Sequence, residues 1–289
     1  PGVALLGQES DRAHNRSVVT FAGDPEAVIE AAFQGAKTAA QLIDLRKHKG
    51  EHPRMGATDV IPLVPITGMS QTECLPYAEK LAKRIGKELK IPVYLYEQSA
   101  KRPERKNLAD IRRGQYEGIT REIEKNPSRD PDFGPKKMGP AGATAVGIRF
   151  PLVAFNVNLK TKNLKIAKSI AKKIRFKDGG FREVKALGFE LKDRGMVQVS
   201  MNLTNYPVSG LHRVFQTIEQ EAKKKDVEIA EREIVGLVPE MALVDSAKHF
   251  LQIRNFSEKQ ILERVLEEQL KDGMTLKSPV TGGGSVAAL

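Results

Sequence analysis

The chain has 289 residues and carries 47 Lys+Arg against 36 Asp+Glu, a formal net charge of +11. With 40% hydrophobic and 29% charged residues the composition is globular, and at about 100–150 residues per domain the length predicts two compact units. No apolar run nears the ~20 residues that cross a bilayer and no signal-peptide pattern opens the chain, which argues against membrane and secreted classes. Cys74 is the single cysteine, so an internal disulfide and a Cys-rich zinc site are excluded, and it is expected to pack as a small hydrophobe on a helix.

Val3–Leu6 and the β-branched, aromatic Ser17–Phe21 read as strands. Asp24 as cap and Pro25 at the first position then open a helix that runs to about Asp44. Arg46–Thr58 has no periodicity, and Asp59–Ile66 resumes as a strand whose prolines favour a sheet edge. Ser70-Gln71-Thr72-Glu73 fits a capping box at the head of the next helix, followed by a strand over Pro92–Tyr96. Leu108–Lys125 has the pattern of one charged amphipathic helix, and Asn126–Ala141, rich in Pro and Gly, reads as a functional loop.

Beyond Ala143 the pattern predicts a long strand over Thr144–Leu159 broken near Pro151, a helix over Asn163–Arg175, strands over Val184–Leu191 and Met196–Leu203, a helix over Gly210–Lys224 and a strand over Glu231–Val238. That order is βαββαβ, a ferredoxin-like arrangement. Helices over Glu240–Arg254 and Ser257–Leu270 follow. The first half reads the same way if a strand and a helix precede Pro1; together with the Gly-rich end at Gly282–Leu289 this is the pattern expected of a fragment.

Lys and Arg cluster at Arg46–Lys49, Lys101–Lys106, Lys136-Lys137, Lys160–Lys177 and Lys223–Lys225, two of these in irregular loops. Such a distribution suits a partner or substrate with several negative charges. The chemistry concentrates in Gly50–Pro62, where one non-periodic loop before a strand holds His52, Glu51, Asp59 and Arg54. An imidazole titrating near neutrality both takes and gives a proton, as acyl-type transfer to an amine requires. Glu51 or Asp59 is placed to orient the ring, and Arg54 or Arg149 to fork onto a substrate carboxylate. No pair of the five histidines has helical metal-ligand spacing, so no metal is expected.

Gly50–Pro62, Pro92–Tyr96, Asp132–Pro135, Gly142–Thr144, Ala154–Leu159, Val197–Ser200, Gly210–His212 and Val235–Pro239, in order along the chain, resemble the formiminotransferase domain of the formiminotransferase-cyclodeaminase family. The resemblance implies an α+β protein of two ferredoxin-like α/β sandwich subdomains, 1–149 and 150–272, with a groove between them. Residues 273–289 resemble the start of the cyclodeaminase domain fused in some members. The implied activity is transfer of the formimidoyl group between N-formimidoyl-L-glutamate and N5 of tetrahydrofolate in histidine degradation, by a cytoplasmic homodimer with no metal, nucleic acid or membrane partner. His52 stands at the position of the family's acid/base, and Glu9 where an assisting aspartate is usual. The folate-binding segment maps onto Gly134, Pro135, Lys136, Lys137, Met138, Gly139, Pro140, Ala141, Gly142 and Thr144, one residue shorter than usual and without the tryptophan of animal members.

Two rivals remain at the level of sequence. Formyl transfer from N-formyl-glutamate to a folate or related pterin makes the same catalytic demands. An RNA-binding ferredoxin-like module is the more distant one, disfavoured by 6% aromatic residues, no Trp and no stretch resembling an RNP1 motif.

Overall fold

The computed structural model describes residues 2–12, 15–50 and 52–271; Glu51 and the linker expected over 273–289 lie outside the described residues. The architecture is mixed α/β with three sheets among the described residues. Strands β1 (Val3–Asp11) and β2 (Arg16–Gly23) form an antiparallel hairpin with an irregularity between Leu5 and Gly7. Both strands run longer than the apolar runs predict, because backbone pairing carries the hairpin through the polar residues Glu9 to Asp11 and Arg16.

A second sheet is built from β3 (Val60–Leu63), β4 (Val93–Glu97) and β5 (Thr144–Ile148), all parallel, in the order β3-β5-β4. The Pro-containing β3 occupies an edge, as its sequence predicts. Helices α1 (Pro25–Leu42) and α2 (Gln71–Arg84) cover one face: Ile29, Phe33, Ala78 and Leu81 pack against Val93, Leu95, Val146 and Ile148. Cys74 is buried in this layer, and burial pushes its thiol pKa up. The capping box exists, with Glu73 N–H donating to Ser70 Oγ and Ser70 N–H to Glu73.

The other face is covered by α3 (Leu108–Ile111) and α4 (Gln115–Glu122), whose Ile111, Tyr116 and Ile119 pack on Tyr94, Tyr96 and Ala145. A parallel sheet buried on both faces carries unbroken apolar strands, which is why all of β5 is buried. The single helix expected over Leu108–Lys125 is therefore two. Gly114 takes φ +83°, a left-handed conformation that glycine adopts without a Cβ penalty and that ends a helical run.

The break expected near Pro151 is present, and the two strands it separates belong to different sheets: β5 ends at Ile148, and β6 (Val153–Leu159) begins beyond Pro151. From there the order follows the prediction: α5 (Leu164–Ile174), β7 (Val184–Leu191), β8 (Met196–Leu203), α6 (Leu211–Lys224) and β9 (Ile229–Val235). The four strands pair antiparallel in the order β7-β8-β6-β9. One sheet face, with Val157, Val197, Val199 and Leu203, packs on Ala167, Ile170, Val214 and Ile218 of the two helices. Helices α7 (Glu240–Phe250) and α8 (Leu262–Lys271) follow. Among the described residues no helix is long and apolar enough to cross a membrane.

Candidate active site

His52 lies in a bend between Lys49 and Gly56 and is half-buried. The loop around it is held by partners from three other parts of the chain. Leu45 N–H donates to Pro140 O at 2.8 Å, Ala57 N–H to Ala141 O at 2.8 Å, and Ala143 N–H to Met55 O at 2.9 Å, so the loop is laced to the 139–143 segment. Gly56 and Gly142 form a bridge at this seam. A Cβ on Gly56 would stand 1.9 Å from Ala143 O, and one on Gly142, at φ +71°, 2.2 Å from Met55 O, so the approach requires glycine on both sides. The hairpin tip docks on the loop's other flank, where Asn15 donates to Lys49 O at 2.7 Å and His48 Nε2 lies 2.9 Å from Asn15 O.

Two arginines complete the frame. Arg54 forks onto Glu117 at 2.6 and 2.9 Å, donates to Gln115 Oε1 at 2.9 Å and reaches His48 O at 3.2 Å. This fork holds the Glu117 carboxyl below the ordinary carboxylate range. Asp59 accepts from Met55 N–H at 2.7 Å through Oδ1 and from Arg112 through Oδ2. Arg54 belongs to the His52 loop itself and Arg112 comes from outside it; each leaves its Nε buried without a hydrogen-bond partner.

The candidate folate segment is fixed from below by Arg105, whose side chain is 3% exposed. Arg105 donates to Asp132 Oδ2 at 2.7 Å and to Asp130 O, while Leu95 N–H donates to the same Asp132 oxygen at 2.8 Å. Gly134 sits at φ +87°, where a Cβ would meet Ile91 O at 2.3 Å. Beyond it Pro135 is half-buried, Lys136 pairs with Asp130 at 2.6 Å, and Lys137 is exposed. Met138 is buried with Met55 and Tyr116, and Tyr116 donates to Gly139 O at 3.2 Å. Gly139 has open space where a Cβ would stand. Thr144 is 1% exposed, and its hydroxyl has no hydrogen-bond partner in the protein. Burial in the layer beneath pushes Tyr94 and Tyr96 up to about 12.

His52, Arg54 and the 134–144 segment therefore share the amino-terminal edge of the parallel sheet, where β3, β4 and β5 begin. Open α/β sheets more often hold ligands at the carboxyl ends of their strands. Arg149 follows the last residue of β5 and so lies at the opposite edge, roughly 16 Å away at ~3.3 Å per residue. There it donates to Phe150 O at 2.9 Å and neighbours Tyr96 and Glu97. Glu9 is exposed on β1, paired with Val18, with Oε1 3.5 Å from where a Gly236 Cβ would stand just after β9. The hairpin thus reaches the His52 loop at its tip and the second half at Glu9.

Sequence reasoning missed Arg105, Arg112, Gln115 and Glu117. Each is a charged or amide residue on what reads as an ordinary solvated helix face or loop, and only the fold brings it under the His52 edge. Gly114, interrupting a charged helical run, was the one local signal.

The sequence pattern of the formiminotransferase domain, N-terminal subdomain, matches residues 1–149, and that of the formiminotransferase domain matches residues 154–280. The chain is 51% identical over 268 residues to a glutamate formimidoyltransferase of Streptococcus pyogenes serotype M1, covering 92% of this chain and 89% of that protein. It is 50% identical over 268 residues to one from Thermoplasma acidophilum, covering 92% and 88%. With the formimidoyltransferase-cyclodeaminase of Rattus norvegicus it shares 42% identity over 256 residues, 86% of this chain and 47% of that protein.

Proposed function

The chain belongs to the formiminotransferase family, and from that premise we propose that it is a glutamate formimidoyltransferase. It moves the formimidoyl group between N-formimidoyl-L-glutamate and N5 of tetrahydrofolate, a step of histidine degradation. The observation that carries this reading is the lacing of the His52 loop to the 139–143 segment, which sets a proton-transfer group beside the candidate folate loop.

The residues fit a bound folate: open space at Gly139, an unpartnered Thr144 hydroxyl and an exposed Lys137 line one edge. N5 attacks the formimidoyl carbon, forming the new N5–C bond while the C=N electron pair moves onto the imino nitrogen. The tetrahedral carbon then carries N5, the glutamate nitrogen and the former imino nitrogen, and the displaced pair re-forms C=N when the glutamate nitrogen leaves. His52 takes the proton that N5 loses and delivers one to the glutamate nitrogen, and the old C–N bond then breaks to release glutamate. Glu9 assists by stabilising the cationic amidine. A substrate carboxylate can be held by Arg54 in exchange for Glu117, whereas Arg149, at the opposite edge of the sheet, stands too far from His52 for that role. The 139–144 side of the loop faces the His52 seam; Gly134 to Met138 take the remainder of the folate.

We further read the protein as a cytoplasmic homodimer of two α/β subdomains, 1–149 and 150–272, with folate in the groove between them; the antiparallel second half is ferredoxin-like, whereas the parallel sheet of the first half departs from the expected ferredoxin-like order. The separate buried clusters of the two halves support the division. Its surplus positive charge suits a dicarboxylic amino acid and an anionic folate, without nucleic acid, membrane or metal.

Incubation with tetrahydrofolate and N-formimidoyl-L-glutamate, then with N-formyl-L-glutamate, identifies the donor through the folate product: 5-formimidoyltetrahydrofolate is expected from the first. His52→Ala is expected to lower kcat by about 10²–10⁴-fold, the usual range for a general acid/base. Near-normal turnover in that variant would sink the assignment.

A further inference from the structure

We propose that Arg112 is a positioning residue for His52, acting through Asp59; the proposal rests on the role given to His52 above. Arg112 follows the last residue of α3, at the break before Gly114 that splits the expected helix. Its guanidinium pairs with Asp59 Oδ2, and the other oxygen of the same carboxylate accepts from Met55 N–H at 2.7 Å. Met55 is fully buried and its carbonyl accepts from Ala143 N–H at 2.9 Å, so Asp59 fixes the residue from which both the loop and the 139–143 seam hang.

Only Pro53 and Arg54 separate Met55 from His52. Proline fixes its own φ and confines the preceding residue to extended conformations, which makes this stretch a stiff arm. A displacement at Met55 is therefore passed to the histidine backbone rather than absorbed between them.

Stability alone does not account for the pair. The Arg112 and Asp59 side chains are only 16% and 19% exposed, and pairing buried charges roughly breaks even against hydrocarbon of similar volume. The buried, unpartnered Arg112 Nε adds a cost that an apolar residue would not incur. What hydrocarbon cannot supply is a direction: a carboxylate held so that one oxygen meets one particular N–H.

The test is a double-mutant cycle in the full chain. Arg112→Gln is expected to lower kcat by about 10–100-fold, the cost of misplacing a catalytic group by an ångström or less. KM for N-formimidoyl-L-glutamate should stay within about twofold, because ground-state binding of the donor is not what Arg112 holds. Asp59→Asn, nearly isosteric, should move the same parameter in the same direction by less, and serves if Arg112→Gln does not fold. In a His52→Ala background, Arg112→Gln should cost nothing further, since a residue acting through another has no effect once that group is gone. A double variant slower than His52→Ala by the full single-variant factor would overturn the role of Arg112 while leaving His52 intact. So would an Arg112→Gln enzyme with unchanged kcat and a lowered Tm. Near-normal turnover in His52→Ala alone would instead remove His52 from the chemistry, and the positioning role with it.

Discussion

Between Val153 and Val235 the shape of the molecule follows mainly from hydrocarbon packed behind one sheet face, with Asn158 and Ser209 the buried polar residues of that stretch, both hydrogen-bonded. Between Leu45 and Asp59 it follows from hydrogen bonds and ion pairs with residues supplied by the hairpin, by α3 and α4 and by the 139–143 segment. The first kind of region tolerates imprecise direction and needs volume. The second needs direction and has little volume to lose. A loop proposed to hold a catalytic histidine within a fraction of an ångström belongs with the second kind, while each half keeps a hydrocarbon core of its own.

That contrast can be broken in three ways. The largest stability effect is expected from Arg105→Ala, which leaves Asp132, 8% exposed, without its cation; orphaning one member of a buried pair costs about 3–5 kcal/mol. Denaturant unfolding measures the loss. Because Asp132 also receives Leu95 N–H at the root of the candidate folate loop, KM for tetrahydrofolate should rise at temperatures where the variant remains folded. A drop in stability with an unchanged KM would move Arg105 to the structural side.

Ile170→Ala, in the fully buried core of the second half, is expected to cost about 2–5 kcal/mol as a large-to-small cavity substitution. Here kcat and both KM values per folded molecule should not change. If they do, the two regions are energetically coupled and the division between volume and direction fails.

The smallest effect is a pH dependence in the second half. His212 stacks on His249 with ring centroids 4.3 Å apart, and burial, then the neighbouring His249 and Arg213, lower its pKa from the ordinary 6.5. A histidine whose folded pKa is depressed binds its proton more readily in the unfolded chain. Its contribution is therefore fully present above about pH 6.5 and is lost as pH falls from there toward the folded value. Unfolding free energies measured from pH 8 to 5 should decline less steeply in His212→Asn than in the parent. Identical slopes would remove His212 from the account.

How much could be read in advance divides along the same line. Val184–Leu191 and Met196–Leu203 emerge with the predicted bounds, and the Ser70 box and the edge strand at Pro62 are as expected, because each depends on a local period or a local cap. The break near Pro151 is legible in Thr144–Leu159, but alternation is blind to which sheet a residue joins; only the pairing of Ala145 with Val60 and of Val157 with Val199 assigns its two parts to different sheets. His52 and Arg54 were legible as chemistry-bearing residues in a loop. The partners of the loop were not, since Glu117 and Arg112 carry no mark that distinguishes them from solvated charge until α3 and α4 are laid across the sheet.

The parallel pairing of β3 with β5 has a consequence for the order of events during synthesis. Val60 meets Ala145 only across the whole of α2, β4, α3 and α4, whereas Lys185 meets Asn202 across a single turn at Lys192–Gly195. Closing the longer loop costs more entropy and pairs of that kind form slowly. While the ribosome is still making α4, the Gly56–Gly142 seam has only one of its two sides, and the His52 loop has the hairpin on one flank without the 139–143 segment on the other. The candidate catalytic edge is therefore a late assembly, completed only after the residues that follow Gly142 have emerged and brought β5 into the gap between its neighbours.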